Sequence, residues 1–499
     1  MYADYSKDRP GWFFGLSGWQ LVVIAAGVLP ALWAINTRRW TMVLPLAGVW
    51  LLLVVLVVVR IRGRSTVGWL AATIAHLVGS AAGWTRYRAP AATGRGTGVE
   101  QADLPGVLTG IRVHDGPPRG TTGRRIALIQ NHAARTWSVT AAIVHPGLGM
   151  AEVEERDRQA QGLTRLLDVC ARTGLIDQLT LTVRTVPDDG AERQLWIRNK
   201  RRPDSHPLAR RINDDLAAVL TSAAVRTEAF VTLTVAESRL SREARHAGGG
   251  TDGRARILYS LISEIDPVLA GDLAISSVTW LTSPELAIAV RTGFAPGDRA
   301  GLVDAHAAHA TDPAVDDSVP WPQAGPSGAE LAVRHYRHDA WSSVSATIRL
   351  PDKGAAIGAL APVLTPSEPG ERRALTVCYP VLAQTVADRQ SANAESAADL
   401  ASGIRERAGM RTRARQRAET AKAHGMDSKL AQGNCLVRPH AVCCVTVPTT
   451  MPVGDYGRRL DASVRRAGFA PLRLDLAQDA GFAAAVLPLG INLAQAGAQ

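Results

Sequence analysis

The sequence has few aromatic residues and few cysteines. Phe, Trp and Tyr make up 5% of the 499 residues although 46% are hydrophobic, so the hydrophobic content comes from Ala, Val and Leu. The five cysteines are scattered, at positions 170, 378, 435, 443 and 444. An odd, scattered set argues against a disulfide framework and indicates a reducing compartment.

A phosphate-binding loop is also missing from the sequence. Such a loop needs G-x-x-x-x-G-K-[ST], because backbone amides cradle the phosphates and the lysine offsets their charge. The stretches TGRGTGVE, AGGGTDGRA and PDKGAAIG all fail this test, and Lys353 precedes its glycine instead of following one. No G-x-S-x-G nucleophile motif occurs either. The sequence therefore predicts no ATP hydrolysis by this route, no cofactor and no enzymatic activity.

Possible metal ligands occur in two places, and neither has favourable spacing. They are Cys435, His440, Cys443 and Cys444 in CLVRPHAVCC, and Asp304, His306 and His309 in VDAHAAHA. Adjacent residues of a strand point to opposite faces, so the cysteines are better interpreted as small buried hydrophobes than as zinc ligands. The second group lacks a distant further ligand, and we expect a polar loop there.

Two uncharged runs lie near the N-terminus, Gly18–Asn36 and Trp40–Val59. Each is close to the roughly 20 residues that cross a hydrocarbon core of about 30 Å. Only Thr37, Arg38 and Arg39 separate them, which predicts a tight antiparallel helical hairpin. Tryptophans at the ends of the runs are typical of interface anchors. The sequence therefore predicts a membrane helical hairpin.

The basic residues beside these runs predict an orientation. Arg60, Arg62 and Arg64 follow the second run, and Lys7 and Arg9 precede the first, against the two arginines of the turn. Because the side richer in Lys and Arg faces the cytoplasm, both termini are predicted to be cytoplasmic in a multi-pass inner-membrane protein. Residues 66–84 are more polar and predict a helix lying in the membrane interface, with a third span as the alternative.

The first 88 residues resemble the PrgI family of small two-span membrane proteins from conjugation and type IV secretion loci. The similarity lies in GLSGWQL at the start of the first run and in Gly63-Arg64-Ser65 followed by Trp69-Leu70 after the second. It implies a membrane anchor belonging to a secretion or conjugation apparatus.

The remaining sequence predicts α/β domains. Residues 89–107 are rich in Ala, Gly and Thr and predict a linker. Alternating strand and helix patterns then predict a first α/β domain at 108–295, a surface loop at 296–326 and a second α/β domain at 327–499. Without its polar insertion, the second domain reads β-α-β, β-α-β, the order of a ferredoxin-like split βαβ domain. The first domain fits this order less cleanly.

The insertion at 383–431, here called the arm, is rich in Ala and charged residues and predicts a projecting helical hairpin. Its basic residues make it a candidate partner-binding surface: Arg405, Arg407, Arg411, Arg413, Arg415, Arg417 and Lys422. A solvated helix face is the alternative. Acidic protein, lipid and nucleic acid are all candidate partners, and the absence of interleaved aromatics ranks nucleic acid below protein.

The α/β part is similar to the non-motor N-terminal region of the VirB/TrbE/CagE conjugation ATPases, in element order and in the final AGFAAAVLPLGINL stretch. Together with the PrgI-like segment, it resembles an actinobacterial family of integral membrane proteins from conjugation-like loci. The resemblance implies a non-enzymatic inner-membrane scaffold that contacts a separate motor ATPase and other secretion-channel subunits. The alternatives are a type VII secretion membrane subunit with two spans and a cytosolic domain, and a membrane-tethered DNA-binding protein or enzyme.

Overall fold

The structure is a computed structural model. It describes residues 18–58, 60–61, 64–94, 102–147, 151–187, 190–202, 204–223, 225–349, 356–382, 384–392, 396, 425 and 428–493. The chain divides into two compact units, one of residues 5–85 and the other built mainly of residues 86–499.

The smaller unit is a helical hairpin followed by a third helix. Its elements are α1 (Gly18–Asn36), α2 (Trp40–Val58), β1 (Arg60–Ile61), β2 (Arg64–Ser65) and α3 (Thr66–Ala81). The helices α1 and α2 pack together, and the Trp50 indole Nε1 donates a hydrogen bond of 3.0 Å to the Ile24 carbonyl oxygen. Arg38 adopts a φ of 54° in the turn between them. The hairpin therefore forms, with the turn where the sequence predicts it.

The prediction that this hairpin spans a membrane is wrong. Within the part of the chain that the structure describes, no helix has both the length and the apolar character needed to cross a bilayer.

The predictions that depended on a membrane-spanning hairpin are therefore corrected as well. The multi-pass inner-membrane localisation and the description as an integral membrane protein lose their basis. The same holds for the topological role given to Arg60, Arg62 and Arg64. Arg62 lies outside the described residues, and the backbones of Arg60 and Arg64 form the two-residue strands β1 and β2, paired as Arg60 with Ser65 and Ile61 with Arg64.

The larger unit is α/β and is built on one antiparallel sheet. Its strands are β3 (Arg86–Arg88), β4 (Ile111–Arg119), β5 (Arg124–Asn131), β6 (Thr136–Val144), β7 (Ile176–Pro187), β8 (Val225–Ala236), β9 (Ser277–Trp280), β10 (Gly328–Leu331), β11 (Tyr336–His338), β12 (Trp341–Arg349), β13 (Arg372–Pro380), β14 (His440–Pro448) and β15 (Ala470–Arg473). Its helices are α4 (Val153–Arg172), α5 (Ala191–Lys200), α6 (Pro207–Ala223), α7 (Glu237–His246), α8 (Gly250–Asp272), α9 (Ser283–Phe294), α10 (Arg299–Thr311), α11 (Trp321–Ala324), α12 (Val453–Arg466) and α13 (Gln478–Val486).

The strand order is symmetrical about its middle. It runs β3-β10-β11-β12-β14-β13-β7-β8-β6-β5-β4, with β15 also beside β12 and β9 also beside β6. In the first half, β6 to β9 lie in the order β9-β6-β8-β7. In the second half, β12 to β15 lie in the order β15-β12-β14-β13. Both are the 4-1-3-2 arrangement of a split βαβ unit, and β7 and β13 join the halves as antiparallel neighbours.

The two halves also match in register and in sequence. Residues 138–143 read SVTAAI and residues 343–348 read SVSATI. Ala141 pairs with Trp280 in one half, and its counterpart Ala346 pairs with Arg473 in the other. When this correspondence is followed from strand to paired strand within each half, Thr182 is the counterpart of Thr376. These two residues pair directly with each other. A pseudo-two-fold axis therefore passes between them.

Two segments differ from the secondary structure that the sequence predicts. The expected loop at 296–326 contains the 13-residue helix α10 and the short α11. The described residues 356–364 form turns and a short 3-10 helix where a helix was expected. Gly358, at a φ of 79°, and Pro362 account for the latter, because neither suits a helix interior.

Helices cover both faces of the sheet. On one face, α4, α7 and α8 pack on the first half around Leu166, Leu258 and Val139. On the same face of the second half, Leu460 of α12 belongs to the hydrophobic cluster that contains Val344. The opposite face lies under α9, α11 and α13.

The face under α13 carries buried hydroxyl pairs. They are Ser138 with Thr234 (2.9 Å), Thr140 with Thr232 (2.9 Å), Thr182 with Thr376 (2.9 Å) and Ser343 with Thr446 (2.7 Å). The C-terminal segment from α13 onward accepts further hydrogen bonds from this face. The Thr376 hydroxyl donates to the Ala485 carbonyl and the Thr140 hydroxyl to the Pro488 carbonyl, each at 2.9 Å. These bonds satisfy hydroxyls that burial would otherwise make costly.

Replacing Gly490 with Ala tests this C-terminal cover. A Cβ at Gly490 would lie 2.7 Å from the Thr234 hydroxyl and 2.8 Å from the Ser138 hydroxyl, at a φ of 70°. We expect a loss of about 2–4 kcal/mol of unfolding free energy, from overpacking added to left-handed strain. Chemical denaturation measures it. Gly468→Ala is the control, because its φ is 84° and no atom lies within 4 Å of the new Cβ. Equal losses of unfolding free energy in both variants would contradict close packing of Gly490 against Ser138 and Thr234.

Candidate functional site

The predicted partner-binding residues of the arm cannot be placed. Arg405, Arg407, Arg411, Arg413, Arg415, Arg417 and Lys422 lie outside the described residues. The described parts of the arm are its two ends and two isolated positions, with residues 384–392 helical. The structure therefore describes how the arm is attached to the sheet.

The two ends of the arm meet side by side. Val381 and Val437 form an antiparallel bridge, and the Leu382 amide donates to the Leu436 carbonyl at 3.1 Å. The Cys435 amide donates to the Asp168 carboxylate of α4 at 2.8 Å, which ties the returning strand to the body. The arm is thus an excursion that leaves and re-enters the sheet at one point, between β13 and β14.

An insertion in the first half occupies the equivalent position, between β7 and β8. It consists of α5 and α6, here called the α5–α6 hairpin. Its first helix is fastened to the body, because Arg198 lies 2.6 Å from Asp304 of α10 and Glu192 lies 2.8 Å from Arg299. Its second helix is different, since every described side chain from His206 to Leu216 is exposed. Both halves therefore carry a basic insertion at the same point of the fold.

A network of buried charge lies beside the β7–β13 junction. The Arg184 guanidinium, with its side chain 4% exposed, lies 2.6 Å from the Glu228 carboxylate. Its Nη1 donates to the Ala289 carbonyl at 3.0 Å, and its charge lies 5.0 Å from the centre of the Phe230 ring. Arg299 approaches Glu228 to 3.9 Å. The network links β7, β8, α9 and α10.

The protonation of Glu228 follows from these neighbours. Burial alone would raise the pKa of this carboxyl, but Arg184, Arg226 and Arg299 outweigh it and hold the pKa below its usual 4.5. Glu228 is therefore ionised at neutral pH. A cavity of about 20 Å³ adjoins the network, lined by Arg184, Thr292, Pro296, Arg372 and Thr446 among others. It has room for about one water molecule, so the network is suited to hold elements together rather than to bind a substrate.

His338 is a second buried titratable group, fully enclosed among aromatic rings. Its Nδ1 donates to the Phe294 carbonyl at 2.6 Å, so its Nε2 accepts from the Ser343 hydroxyl at 2.7 Å. The Phe482 ring centre lies 4.4 Å from the imidazole. Burial lowers the pKa of His338 to about 3, although the bond to Phe294 opposes this shift. The imidazole is therefore neutral and joins α9 to β11 and β12.

The candidate metal ligands are used in other contacts. Cys443 packs in the core beneath α12 and Cys444 in the core on the other face of the sheet. Asp304 pairs with Arg198, whereas the His306 Nδ1 lies 2.7 Å from Asp317. No group of three or more potential ligands in a suitable arrangement exists among the described residues.

The cysteines are free thiols in protected surroundings. Burial raises the pKa of Cys170, Cys378 and Cys435 to about 12 in each case. Because the thiolate is the reactive form, these side chains are expected to resist oxidation and alkylation in the folded protein.

Glu228→Gln tests the charge network. Removing the carboxylate charge leaves Arg184 buried without its counter-ion, which we expect to lower the unfolding free energy by about 3–5 kcal/mol at neutral pH. Because the folded pKa of Glu228 is depressed, its contribution is present above pH 4.5 and is lost as pH falls below that value. The difference between wild type and variant in urea unfolding should therefore shrink in acid. Asp304→Asn, which removes an exposed ion pair of the same 2.6 Å distance, is the control and should cost under about 1 kcal/mol.

His338→Gln tests the buried imidazole. Below pH 6.5 the unfolded chain gains a proton at this position that the folded chain does not accept until about pH 3. The unfolding free energy of the wild type should therefore decrease as pH is lowered through this window. The variant should show a shallower dependence of unfolding free energy on pH. Urea unfolding at a series of pH values measures both slopes. His132→Gln, which removes an exposed imidazole, is the control for the loss of a histidine as such. A variant slope equal to that of wild type would contradict the assignment.

Comparison with known proteins does not add to these observations. No protein-family model matches the sequence, and no curated protein sequence matches it. The resemblances to the PrgI family and to the VirB/TrbE/CagE ATPases therefore stay expectations drawn from short stretches and element order. Any function must be argued from those stretches together with the geometry of the sheet and its two insertions.

Proposed function

We propose that this protein is a non-enzymatic scaffold of a conjugation or type IV-like secretion apparatus, and that it docks a separate motor ATPase through the arm. The observation that carries the proposal is the attachment of the arm. Val381 and Val437 close its base as a β-bridge, and Asp168 holds the returning chain. A segment fastened in this way can bind a partner without altering the hydrogen bonds of the sheet.

The charge of the arm supports an acidic protein partner. Its seven basic residues between Arg405 and Lys422 stand in a chain of net charge +11. Positive surfaces attract acidic partners and speed their association. The resemblance in element order to the non-motor region of conjugation ATPases, expected from the sequence, favours a motor carried on another chain as that partner.

The body supports the role of a rigid base. The β7–β13 junction joins both halves into one sheet, and helices cover both of its faces. The described arm ends and the α5–α6 hairpin interrupt equivalent strand pairs. A fixed core that carries two insertions suits a scaffold.

Deletion of residues 384–431, with a short Gly-Ser linker in their place, tests the proposal. The adjoining ends, Leu382 and Leu436, are hydrogen-bonded neighbours, so the body is expected to fold without the arm. The full chain should capture a conjugation-type motor ATPase from a lysate of its own source cells in a pull-down, and the deletion variant should not. Circular dichroism and the thermal midpoint check that the body is intact.

Charge removal gives a sharper version of the same test. Replacing the seven basic residues between Arg405 and Lys422 with Gln should abolish capture if their charge makes the contact. Arg465→Gln with Arg466→Gln removes exposed charge from α12 instead and should leave capture unchanged. No ATPase in the wild-type pull-down would defeat the proposal. Binding of DNA by the full chain that disappears with the arm, without ATPase capture, would replace it with a nucleic-acid role.

A further inference from the structure

The helix α6 presents an apolar stripe that the described parts of the chain leave exposed. Leu208, Ile212 and Leu216 are 56%, 55% and 46% exposed. Their spacing of four residues places them on one side of the helix. The other described side chains between them are also exposed, so this portion of α6 projects from the body.

An exposed stripe of this kind indicates a missing partner. A helix of 17 residues gains little stability from its own hydrogen bonds, and most helices in proteins depend on burying an apolar face. Scattered exposed leucines need no explanation, but three in register on one projecting helix form a binding surface of the helix-in-groove or helix-on-helix kind.

The charges around the stripe specify the partner. The α5–α6 hairpin contains seven Lys or Arg between residues 191 and 216, against four Asp or Glu. Two of the seven have a carboxylate within 4 Å, Arg198 beside Asp304 and Arg201 beside Asp214. The other five make no ion pair with a described residue: Arg193, Lys200, Arg202, Arg210 and Arg211. The hairpin is therefore complementary to an acidic surface.

A protein fits these charges better than a lipid surface does. Asp215 lies three residues after Ile212 and one before Leu216, so it borders the stripe. An anionic bilayer would repel this carboxylate and would have to bury it close to the acyl chains. A protein helix can instead place a basic residue opposite Asp215 and acidic residues opposite Arg211.

We infer that α6 binds an amphipathic helix of a partner protein, one with Leu- or Ile-type side chains along one face and mainly Asp or Glu beside them. That the partner helix belongs to a subunit of the same apparatus rests on the proposed function. The surface itself is defined by α6 and lies apart from the arm in sequence. It gives the chain a second docking surface.

Two labelled synthetic peptides probe this surface. The first carries Leu at positions a and d of three heptads with Glu at e and g, and the second has Lys in place of Glu. Fluorescence anisotropy with the full chain should show binding of the Glu peptide that weakens as salt rises from about 50 mM to about 300 mM. The Lys peptide should bind at least about tenfold more weakly.

Matched variants on α6 separate the stripe from general effects. Ile212→Glu places a charge in the stripe and should weaken binding of the Glu peptide by at least about tenfold. Asn213→Glu places the same charge on the neighbouring position, off the stripe, and should change binding by less than about threefold. Unchanged circular dichroism shows that both variants fold. Equal effects of the two variants would overturn the inference.

A different occupant of the α6 stripe would be recognised by a different experimental result. Self-association of the wild-type chain that Ile212→Glu abolishes would assign the stripe to a second copy. Binding to phosphatidylglycerol vesicles, lost in Ile212→Glu, with no binding of the Glu peptide, would assign it to lipid. Either outcome overturns the inference. Peptide binding without capture of the ATPase would count against the proposed function and leave this surface standing, whereas capture without peptide binding would do the reverse.

Discussion

The antiparallel pairing of β7 with β13 is the contact on which the larger unit depends. It joins two split βαβ halves into one sheet, with Thr182 hydrogen-bonded to Thr376 at the pseudo-two-fold axis. Without it each half would expose a central strand as an open edge, which invites pairing with other chains. The charge network at Arg184 lies on the same strand. Loss of the junction would therefore separate the halves and expose buried charge.

The elements that pack on the sheet, α9 and the C-terminal segment, depend on this junction in turn. The Thr376 hydroxyl at the axis donates to the carbonyl of Ala485, so the C-terminal segment of the second half is fixed to the centre of the sheet. That segment continues to Thr140 of the first half. His338 and Arg184 reach α9 from opposite halves through the carbonyls of Phe294 and Ala289. The halves thus share a core rather than meeting at a surface.

Much of the strand and helix content could be predicted, because alternation and amphipathic periodicity are local signals. The prediction that the helical hairpin spans a membrane is wrong, because the absence of charge along a run is not sufficient for a helix to cross a bilayer. The internal repeat has a short signal in the sequence, SVTAAI and SVSATI, but six residues are too few to predict it. Arg184 and Glu228 stand inside strands otherwise rich in apolar residues and Thr, which is a usable signal for buried charge. Their pairing could not be foreseen, because it requires the strand register of β7 and β8.

The pseudo-two-fold symmetry has a consequence for counting partners. A true homodimer presents each surface twice, so a partner that recognises one surface binds in pairs. Here the equivalent insertions have diverged, one into the α5–α6 hairpin and the other into the much longer arm. Each is present once per chain. If both insertions bind partners as proposed, one chain would hold two different subunits at symmetrical positions, in a fixed ratio of one to one.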